Sequence, residues 1–422
     1  MQFVQRGSIA ANAEHAEYSR IGILRCRNLG LQLEGAIDST YLVGQSSVPR
    51  VTSIPNERLL SVAHLFNPFR LKDIELRNRI AVSPMCQYSC DDGFLNDWHF
   101  VHLGSRAIGG AGLVIVEATA VAPEGRISPA CSGIYHAGHV EPMARINRFL
   151  KEHGAVPGIQ IAHAGRKASA SKPWEGDSHL DTDQGGWPTL APSAIPFGGG
   201  LTKIPKAMTI EDIVRVRTDF VIAAQRALEA GFEWLELHFA HGYLAHEFYS
   251  PLANHRTDAY GGSFENRTRF LRETLQAVRA VWPERLPLTA RLSVTDWQPG
   301  GVTIEDSIEL AKQFKTDGLD MLDISQGFIT PDISIIPWAP SFMVPHSGRI
   351  RSEADLPTAV GWMITEPEQA EHAIASGQAD VVMLARELLR DPYWPYHAAL
   401  ALNDDRVDSV LPVQYARAVK KR

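Results

Sequence analysis

The sequence has 422 residues, 45% of them hydrophobic and 21% charged, which suits a globular protein with one large barrel or two smaller domains. The formal net charge of −7 and the pI near 6.1 give no broad basic surface, so we expect neither a nucleic acid nor an anionic membrane as partner. No apolar run reaches the roughly 20 residues that a membrane helix needs.

The first 61 residues show no clear periodicity and lack the apolar stretch of a signal peptide. Arginines in this stretch suggest a transit peptide, but Glu14, Glu17 and Glu34 argue against one. We therefore expect residues 1–61 to be an N-terminal extension, either a mobile tail or the product of a start codon assigned too early. Residues 62–422 are expected to form the folded domain.

From residue 64 onward, short apolar runs rich in β-branched residues alternate with longer segments of helical period. This alternation is typical of consecutive βα units and a parallel sheet. The pattern predicts an α/β fold, a (β/α)₈ TIM barrel, with a doubly wound open sheet as the structural alternative. The eight runs predicted as strands are Ile80–Cys86, Leu113–Val121, Val156–His163, Trp234–Ala240, Pro287–Val294, Met321–Gln326, Thr358–Trp362 and Asp380–Arg386.

Two of the intervening segments show clear helical signals. Apolar residues recur at helical spacing over Ile210–Ala230, and Ser263–Val281 begins with a residue that can cap a helix. By contrast, residues 164–208, after the third predicted strand, are rich in Gly, Pro and Trp. They are predicted to form a long capping loop over the active end of the barrel.

Polar residues collect near the ends of several predicted strands. Because the loops that follow the strands of a (β/α)₈ barrel converge on one face, these residues are expected to form one site. The residues that these strands supply are Ser83, Pro84, Met85, Cys86, Gln87, Tyr88, Gln160, His163, His238, His241, Tyr243 and Arg291.

The last two predicted strands indicate a phosphate site. Gly361-Trp362-Met363 follows the seventh strand and Ala385-Arg386 ends the eighth. Backbone N–H groups and one guanidinium can hold a phosphate there without a basic surface. Since no GxGxxG motif links a strand to a helix, a mononucleotide cofactor fits better than a tightly bound dinucleotide.

His238 and His241 straddle the end of the fourth strand, and three interpretations are open. They could be structural histidines, or metal ligands together with His163, although no carboxylate or cysteine completes such a site. The interpretation we favour is a pair of imidazole donors for one carbonyl or nitro oxygen. Tyr243, two residues further on, could then deliver a proton to carbon.

The four cysteines match no disulfide framework and no common zinc or iron–sulfur spacing, so a reducing, cytoplasmic setting is expected. Cys86 stands at a strand end, which favours a functional role over simple packing. No cysteine follows Cys131, so we expect no iron–sulfur cluster after the barrel.

Several long motifs in order give the chain a family resemblance. They are Leu76–Ile80, Ser83–Tyr88, Gly158–Lys167, His238–Tyr243 and Arg256–Arg267. Over about residues 65–417 the chain resembles the Old Yellow Enzyme family, specifically the thermophilic-like branch that contains the xenobiotic reductase A enzymes. Ala385 departs from the glycine that is common at that place in relatives.

The resemblance implies roles for individual residues. His238 and His241 would clamp the substrate oxygen, Tyr243 would donate the proton, and Cys86 would tune the flavin. Arg417 stands where relatives carry an arginine that enters the neighbouring subunit's site. Substrate contacts are implied for Tyr88, Trp338, Trp394 and Arg417. FMN contacts are implied for Ser83, Pro84, Met85, Cys86, Ala118, Gln160, Arg291, Gly361, Trp362, Met363, Ala385 and Arg386.

The activity implied is reduction of the C=C bond of enones, enals or nitro compounds by FMN, with NADPH or NADH as the hydride donor. The resemblance also implies a homodimer or homotetramer. A catalytically idle flavin-binding or redox-sensing barrel remains the alternative, because its binding residues would look the same.

Overall fold

The structure is a computed structural model and describes residues 62–419. The predicted N-terminal extension, residues 1–61, lies outside the described residues. Within residues 62–419, no helix combines the length and the apolar character required to cross a bilayer.

Eight parallel strands close into a barrel. The strands of the described chain are β1 (Phe69–Leu71), β2 (Ile74–Leu76), β3 (Ile80–Val82), β4 (Leu113–Ala120), β5 (Val156–Ala162), β6 (Leu190–Ala191), β7 (Lys206–Ala207), β8 (Trp234–Phe239), β9 (Leu288–Ser293), β10 (Met321–Ser325), β11 (Thr358–Val360) and β12 (Val381–Leu384). Around the barrel the order is β3-β4-β5-β8-β9-β10-β11-β12, and β12 pairs with β3 to close it.

The barrel strands lie at the eight predicted runs, so the predicted (β/α)₈ barrel is confirmed and the doubly wound alternative is wrong. Most strands end earlier than predicted. The run that was expected to reach Cys86 ends at Val82. Pro84 cannot donate to a strand ladder, and Tyr88 has a left-handed backbone with φ of 50°, so residues 83–88 leave the sheet as a rim loop.

Alternating side chains divide the apolar interior into two cores. Those that point into the barrel pack against Phe69 and Leu76 of the β1–β2 hairpin, while the other set packs against the surrounding helices. The inner core consists of Ala81, Leu113, Ile115, Trp234, Met321, Ala359, Val381 and Met383 with the two hairpin residues. The carboxyl-terminal rim of the barrel is therefore left for polar residues.

Helices follow the strands, and the two predicted ones are confirmed. Thr209 and Ser263 cap them by accepting hydrogen bonds from the backbone N–H groups of Asp212 and Asn266. The helices are α1 (Asp97–Ile108), α2 (Val140–Glu152), α3 (Ile210–Glu229), α4 (Leu244–Tyr249), α5 (Phe264–Arg279), α6 (Ile304–Thr316), α7 (Val344–Glu353), α8 (Pro367–Ala375), α9 (Arg386–Arg390), α10 (Trp394–Ala401), α11 (Val407–Val410) and α12 (Val413–Val419).

Residues 164–208 form an irregular segment after β5 that contains short 3₁₀ turns and the small β6–β7 ribbon. Buried Arg166 fixes the segment, since its guanidinium donates to the carbonyl oxygens of Ile329 at 2.6 Å and Ile195 at 3.3 Å. The 3₁₀ turns of the described chain are His64–Phe66, Pro123–Gly125, Ala137–His139, Gly165–Lys167, Pro173–Glu175 and Thr182–Gln184.

Candidate active site

Two adjoining cavities open at the carboxyl-terminal rim. The first, here the rim cavity, has a volume of about 570 Å³, and the second, the cap cavity, has about 350 Å³. Phe328 and Ile333 line both. The rim cavity is lined by Ser83, Arg291, Phe328, Ile333, Trp338, Trp362, Met363, Ile364, Thr365, Met383, Ala385, Arg386 and Glu387. Its size lies within the usual range of cofactor and ligand sites, roughly 300–1,000 Å³.

A buried group of charged and polar side chains underlies the rim cavity. Arg291 donates from Nη1 to Ser83 Oγ at 2.8 Å, and its Nε lies 3.2 Å from Asp323 Oδ2. On the neighbouring strands, Gln160 Nε2 donates to Glu236 Oε1 at 2.8 Å. All four of the residues on β5, β8, β9 and β10 are at most 8% exposed.

The charges in this group do not balance, because one guanidinium faces two carboxyl groups. Burial and the charge of Asp323 raise the pKa of Glu236 to about 8, and burial also raises the pKa of Asp323. A neutral Glu236 leaves Arg291 and Asp323 as the remaining opposite charges at neutral pH. Keeping one carboxyl protonated avoids an uncompensated buried charge.

The predicted phosphate residues meet at one end of the rim cavity. Trp362 and Met363 have consecutive left-handed backbones, with φ of 51° and 59°. The Arg386 guanidinium reaches across to Met363, with 3.6 Å between Nη2 and Sδ. A Cβ at Gly361 would lie 2.3 Å from the carbonyl oxygen of Met383, so only glycine fits there.

The rim loop after β3 carries Cys86 and Tyr88 and is fixed by Glu117. Glu117 Oε2 accepts from the Gln87 N–H at 2.9 Å, and its Oε1 lies 3.2 Å from His99 Nε2. Burial and the charge of Glu117 raise the pKa of Cys86 well above its usual value. Cys86 therefore remains a neutral thiol at neutral pH.

An irregularity in the β4–β5 pairing accompanies this contact. The register shifts between Val116 and Thr119, as in a β-bulge. Ala118 lies within the shifted stretch and lines a small pocket together with Tyr243. The predicted FMN contact Ala118 is thus brought close to the predicted proton donor.

His238 and His241 lie together, with ring centroids 5.1 Å apart and rings nearly perpendicular. His238 Nδ1 accepts from the Ala240 N–H at 3.3 Å, and His241 Nε2 is 2.5 Å from Ser325 Oγ. Burial, followed by the charge of Arg291, lowers the pKa of both imidazoles well below the usual value. Both rings are therefore neutral at neutral pH.

The histidine pair lines neither cavity but contacts aromatic residues that do. The His241 ring contacts the Trp362 ring at 5.9 Å, on the side of the rim cavity, and the His238 ring contacts Tyr243 at 5.0 Å, on the side of the cap cavity. His163 has a different environment, because its Nδ1 accepts from the Gly165 N–H at 3.1 Å. Among residues 62–419, no group of three His, Cys, Asp or Glu side chains is arranged to hold a metal ion.

Tyr243 stands beside a half-buried lysine. Lys167 Nζ lies 5.2 Å from the centre of the Tyr243 ring and donates to the carbonyl oxygen of His241 at 2.9 Å. Burial lowers the pKa of Lys167 to about 8 and raises that of Tyr243 well above its usual value. Tyr243 and Tyr88 both line the cap cavity, in which the Tyr243 phenol keeps its proton at neutral pH.

The predicted aromatic and arginine contacts have separate locations. Trp338 lines the rim cavity and lies 5.9 Å from the Trp362 ring. Trp394, predicted as a substrate contact, instead packs in the hydrophobic core and donates from Nε1 to the Thr365 carbonyl oxygen at 3.2 Å. Its flat apolar ring is buried beneath the cavity wall. Arg417 lies exposed on α12 and lines neither cavity of the described chain.

Several residues of the site were given no role from the sequence. Glu117, Glu236 and Asp323 carry carboxyl groups within predominantly apolar barrel strands. That contrast was an available signal, since a carboxyl group is rarely buried without a partner. Lys167 and His246 carry no such signal, because their surroundings depend on the fold.

The chain matches the model of the NADH:flavin oxidoreductase / NADH oxidase family over residues 64–405. The chain belongs to this family, the Old Yellow Enzyme family. It is 46% identical over 355 residues to an NADPH dehydrogenase of Geobacillus sp. (strain WCH70), which covers 84% of this chain and 98% of the relative. It is 45% identical over 356 residues to an NADPH dehydrogenase of Bacillus subtilis (strain 168), with the same coverage.

Solved structures agree with this assignment. Morphinone reductase superposes with a TM-score of 0.69 and 26% identity, covering 81% of this chain and 91% of that one. The old yellow enzyme homologue from Zymomonas mobilis gives a TM-score of 0.68 and 26% identity, covering 82% and 96%. The chain is therefore an Old Yellow Enzyme-type oxidoreductase that uses a flavin and a nicotinamide nucleotide.

The protonated Glu236 makes a testable contribution to stability. The folded carboxyl keeps its proton up to a pH of about 8, whereas an unfolded glutamate loses it near the ordinary value of 4.5. Between these values the folded state binds more protons, so this group lowers stability as pH rises through the window. The Glu236→Gln variant keeps the acceptor for Gln160 but has no proton to lose. Its free energy of unfolding is therefore expected to fall less than that of the wild-type protein as the pH rises from about 4.5 to about 8.

Denaturant unfolding of both proteins, measured from about pH 5 to 8.5, gives the free energy of unfolding at each pH. The slopes of the two pH dependences are then compared. The slope removed by the substitution can approach about 1.4 kcal/mol per pH unit. Parallel curves for the two proteins would show that Glu236 is ionised in the folded state.

Proposed function

We propose that this oxidoreductase is an FMN-dependent ene-reductase, which reduces the activated C=C bond of α,β-unsaturated carbonyl or nitro compounds with NADPH or NADH. The observation that carries the proposal is the pair of neutral imidazoles, His238 and His241. The His241 ring contacts Trp362, which lines the rim cavity, and the His238 ring contacts Tyr243, which lines the cap cavity. Neutral N–H donors can stabilise negative charge on a substrate oxygen without being deprotonated at neutral pH.

The residues around the rim cavity fit FMN. Gly361 lets the end of β11 pack against the Met383 backbone of β12, and the left-handed turn that follows at Trp362 and Met363 lies beside Arg386. Two successive residues in this conformation, together with one guanidinium, suit a single phosphate. Arg291 lines the cavity and would donate to a polar ring system, and Gln160 on the neighbouring part of the barrel has a second amide hydrogen besides the one donated to Glu236. When bound, FMN would supply the hydride-transfer chemistry that links oxidation of the nicotinamide nucleotide to reduction of the alkene.

The hydrogen bonds already made by the histidine pair define which ring nitrogens remain for substrate. His238 Nδ1 is occupied as an acceptor, so its proton is on Nε2. His241 Nε2 is engaged by Ser325 Oγ, which leaves Nδ1. We assign these two nitrogens as the donors to the carbonyl or nitro oxygen. Their donation draws electrons from the conjugated double bond and favours attack at the β-carbon.

Tyr243 is assigned as the proton donor to the α-carbon. Its phenol stays protonated, and it adjoins both His238 and the cap cavity. Lys167 holds the His241 carbonyl and faces the Tyr243 ring, so it favours the transient negative charge of a phenolate. A proton from Tyr243 would complete the saturated bond.

The rim loop supplies two further assigned roles. Cys86 presents a neutral thiol, which can alter the electron density of an adjacent flavin ring without reacting. Tyr88 lines the cap cavity beside Trp174, with ring centroids 5.8 Å apart, and would contact the substrate.

The free thiols of Cys86, Cys90 and Cys131 support a reducing, cytoplasmic location.

Removing the clamp provides the main test. His238→Ala and His241→Ala are each expected to lower enone reduction by roughly 10²-fold or more and to weaken phenol binding, because each loses a donor to the substrate oxygen. FMN should remain bound. His372→Ala, at an exposed histidine of α8, is the matched control and should behave as wild type. Unchanged enone turnover in the double variant with FMN bound would refute the clamp.

We also propose a homodimer, or a tetramer built from such dimers, in which Arg417 reaches the neighbouring subunit's site. Arg417 is exposed on the last described helix, where it is available to a partner. Arg417→Ala is expected to raise KM for the nicotinamide nucleotide or the enone while FMN stays bound. Arg148→Ala, at an exposed position of α2, serves as the control. A monomer by analytical ultracentrifugation, or unaltered constants for both substrates, would contradict the shared site.

A further inference from the structure

The turn that carries His241 and Tyr243 has an unusual backbone. His241 and Gly242 are consecutive left-handed residues, with φ of 62° and 69°. A non-glycine residue is strained in this conformation, so the surroundings must hold it. A Cβ at Gly242 would lie 2.2 Å from the Phe328 carbonyl oxygen, which shows how closely the turn is packed.

One side chain satisfies the buried amide at the centre of this turn. The Gly242 N–H donates to His246 Nδ1 at 2.9 Å. His246 lies in the first turn of α4 and is fully buried, with 0% of its side chain exposed. Without this acceptor the Gly242 N–H would be an unsatisfied buried donor, which is destabilising.

The opposite side of the His246 ring is fixed by a carboxylate. His246 Nε2 is 2.9 Å from Asp296 Oδ1, and the other Asp296 oxygen accepts from Ser250 Oγ at 2.6 Å and from the Val302 N–H at 2.8 Å. Burial alone would raise the pKa of Asp296, but the hydrogen bonds from His246, Ser250 and the Val302 N–H act in the opposite direction, and the pKa is lowered. The carboxylate is therefore an acceptor at neutral pH.

These contacts determine the tautomer of His246. A nitrogen that accepts the Gly242 proton cannot carry its own, so Nδ1 is unprotonated and the ring proton is on Nε2, facing Asp296. If Nδ1 were protonated as well, its N–H would face the Gly242 N–H and neither group could accept the other's proton. The Asp296 carboxylate also makes Nδ1 a stronger acceptor.

We infer that His246 is a positioning residue: as the neutral Nε2–H tautomer it holds the Gly242 amide and thereby sets the turn that aims His241 and Tyr243 at the substrate. The inference rests on the proposed function. His246 itself lies beneath the turn and acts through the backbone. The same turn is held from the side by Lys167, which donates to the His241 carbonyl, and by Ser293 Oγ, which accepts from the His241 N–H at 2.9 Å.

Two substitutions at position 246 separate the two hydrogen bonds of the ring. His246→Asn places an amide oxygen near the position of Nδ1, so it keeps an acceptor for Gly242 and loses the contact with Asp296. His246→Gln reaches the position of Nε2, so it keeps a donor for Asp296 and leaves the Gly242 N–H unsatisfied. Both remove the same aromatic ring, which makes them matched variants.

The probe is p-hydroxybenzaldehyde, whose dissociation constant is read from the visible absorbance of the bound, oxidised flavin. We expect affinity within about threefold of wild type for the Asn variant and at least about tenfold weaker binding for the Gln variant, as loss of one buried hydrogen bond predicts. Equal weakening in both, weakening in the Asn variant alone, or wild-type affinity in the Gln variant would overturn the inference.

A measurement on the unsubstituted holoenzyme covers the case in which a variant does not fold. Long-range ¹H–¹⁵N spectra of histidine-labelled protein should show the His246 ring protonated at Nε2 only, and a ring protonated at Nδ1 or at both nitrogens would overturn the inference. The proposed function fails separately: in that case His238→Ala and His241→Ala leave phenol binding intact. If those variants weaken binding and His246→Gln does not, only the positioning role is wrong.

Discussion

Ser83 and Arg291 share a hydrogen bond across 208 positions of the chain, because closure of eight parallel strands brings every strand end to one rim. The rest of the site depends on this constraint. The lower part of the barrel is filled by apolar side chains, so charged groups are confined to the layer beneath the cavity. There, Arg291 is balanced by Asp323, and Glu236 keeps a proton.

The groups proposed to contact substrate are also uncharged at neutral pH. The two clamp imidazoles, the Tyr243 phenol and the Cys86 thiol are all held in their neutral forms, by burial first and by nearby charges second. Neutral donors suit a reaction in which negative charge develops on the substrate. Lys167 and Arg291 supply fixed positive charge nearby without contributing a broad basic surface.

The sequence was sufficient for the barrel because apolar strands and amphipathic helices leave periodic signals that depend on local order alone. It also indicated that the residues proposed to bind phosphate and the histidine pair follow strand ends, where the structure has them. Trp394 was misplaced because burial of a tryptophan depends on its tertiary neighbours. The sequence also did not predict the hydrogen bonds from Asp296 through His246 to Gly242. The direction and the tautomer of a side chain depend on its tertiary neighbours.

We propose above that flavin held in the rim cavity passes hydride from a nicotinamide nucleotide to an activated alkene. Anaerobic titration of the purified holoenzyme tests it most directly. NADPH should bleach the visible flavin band, and one equivalent of 2-cyclohexenone should then restore it with formation of cyclohexanone. A reduced flavin that is reoxidised by dioxygen but by no enone or nitroalkene would contradict the account.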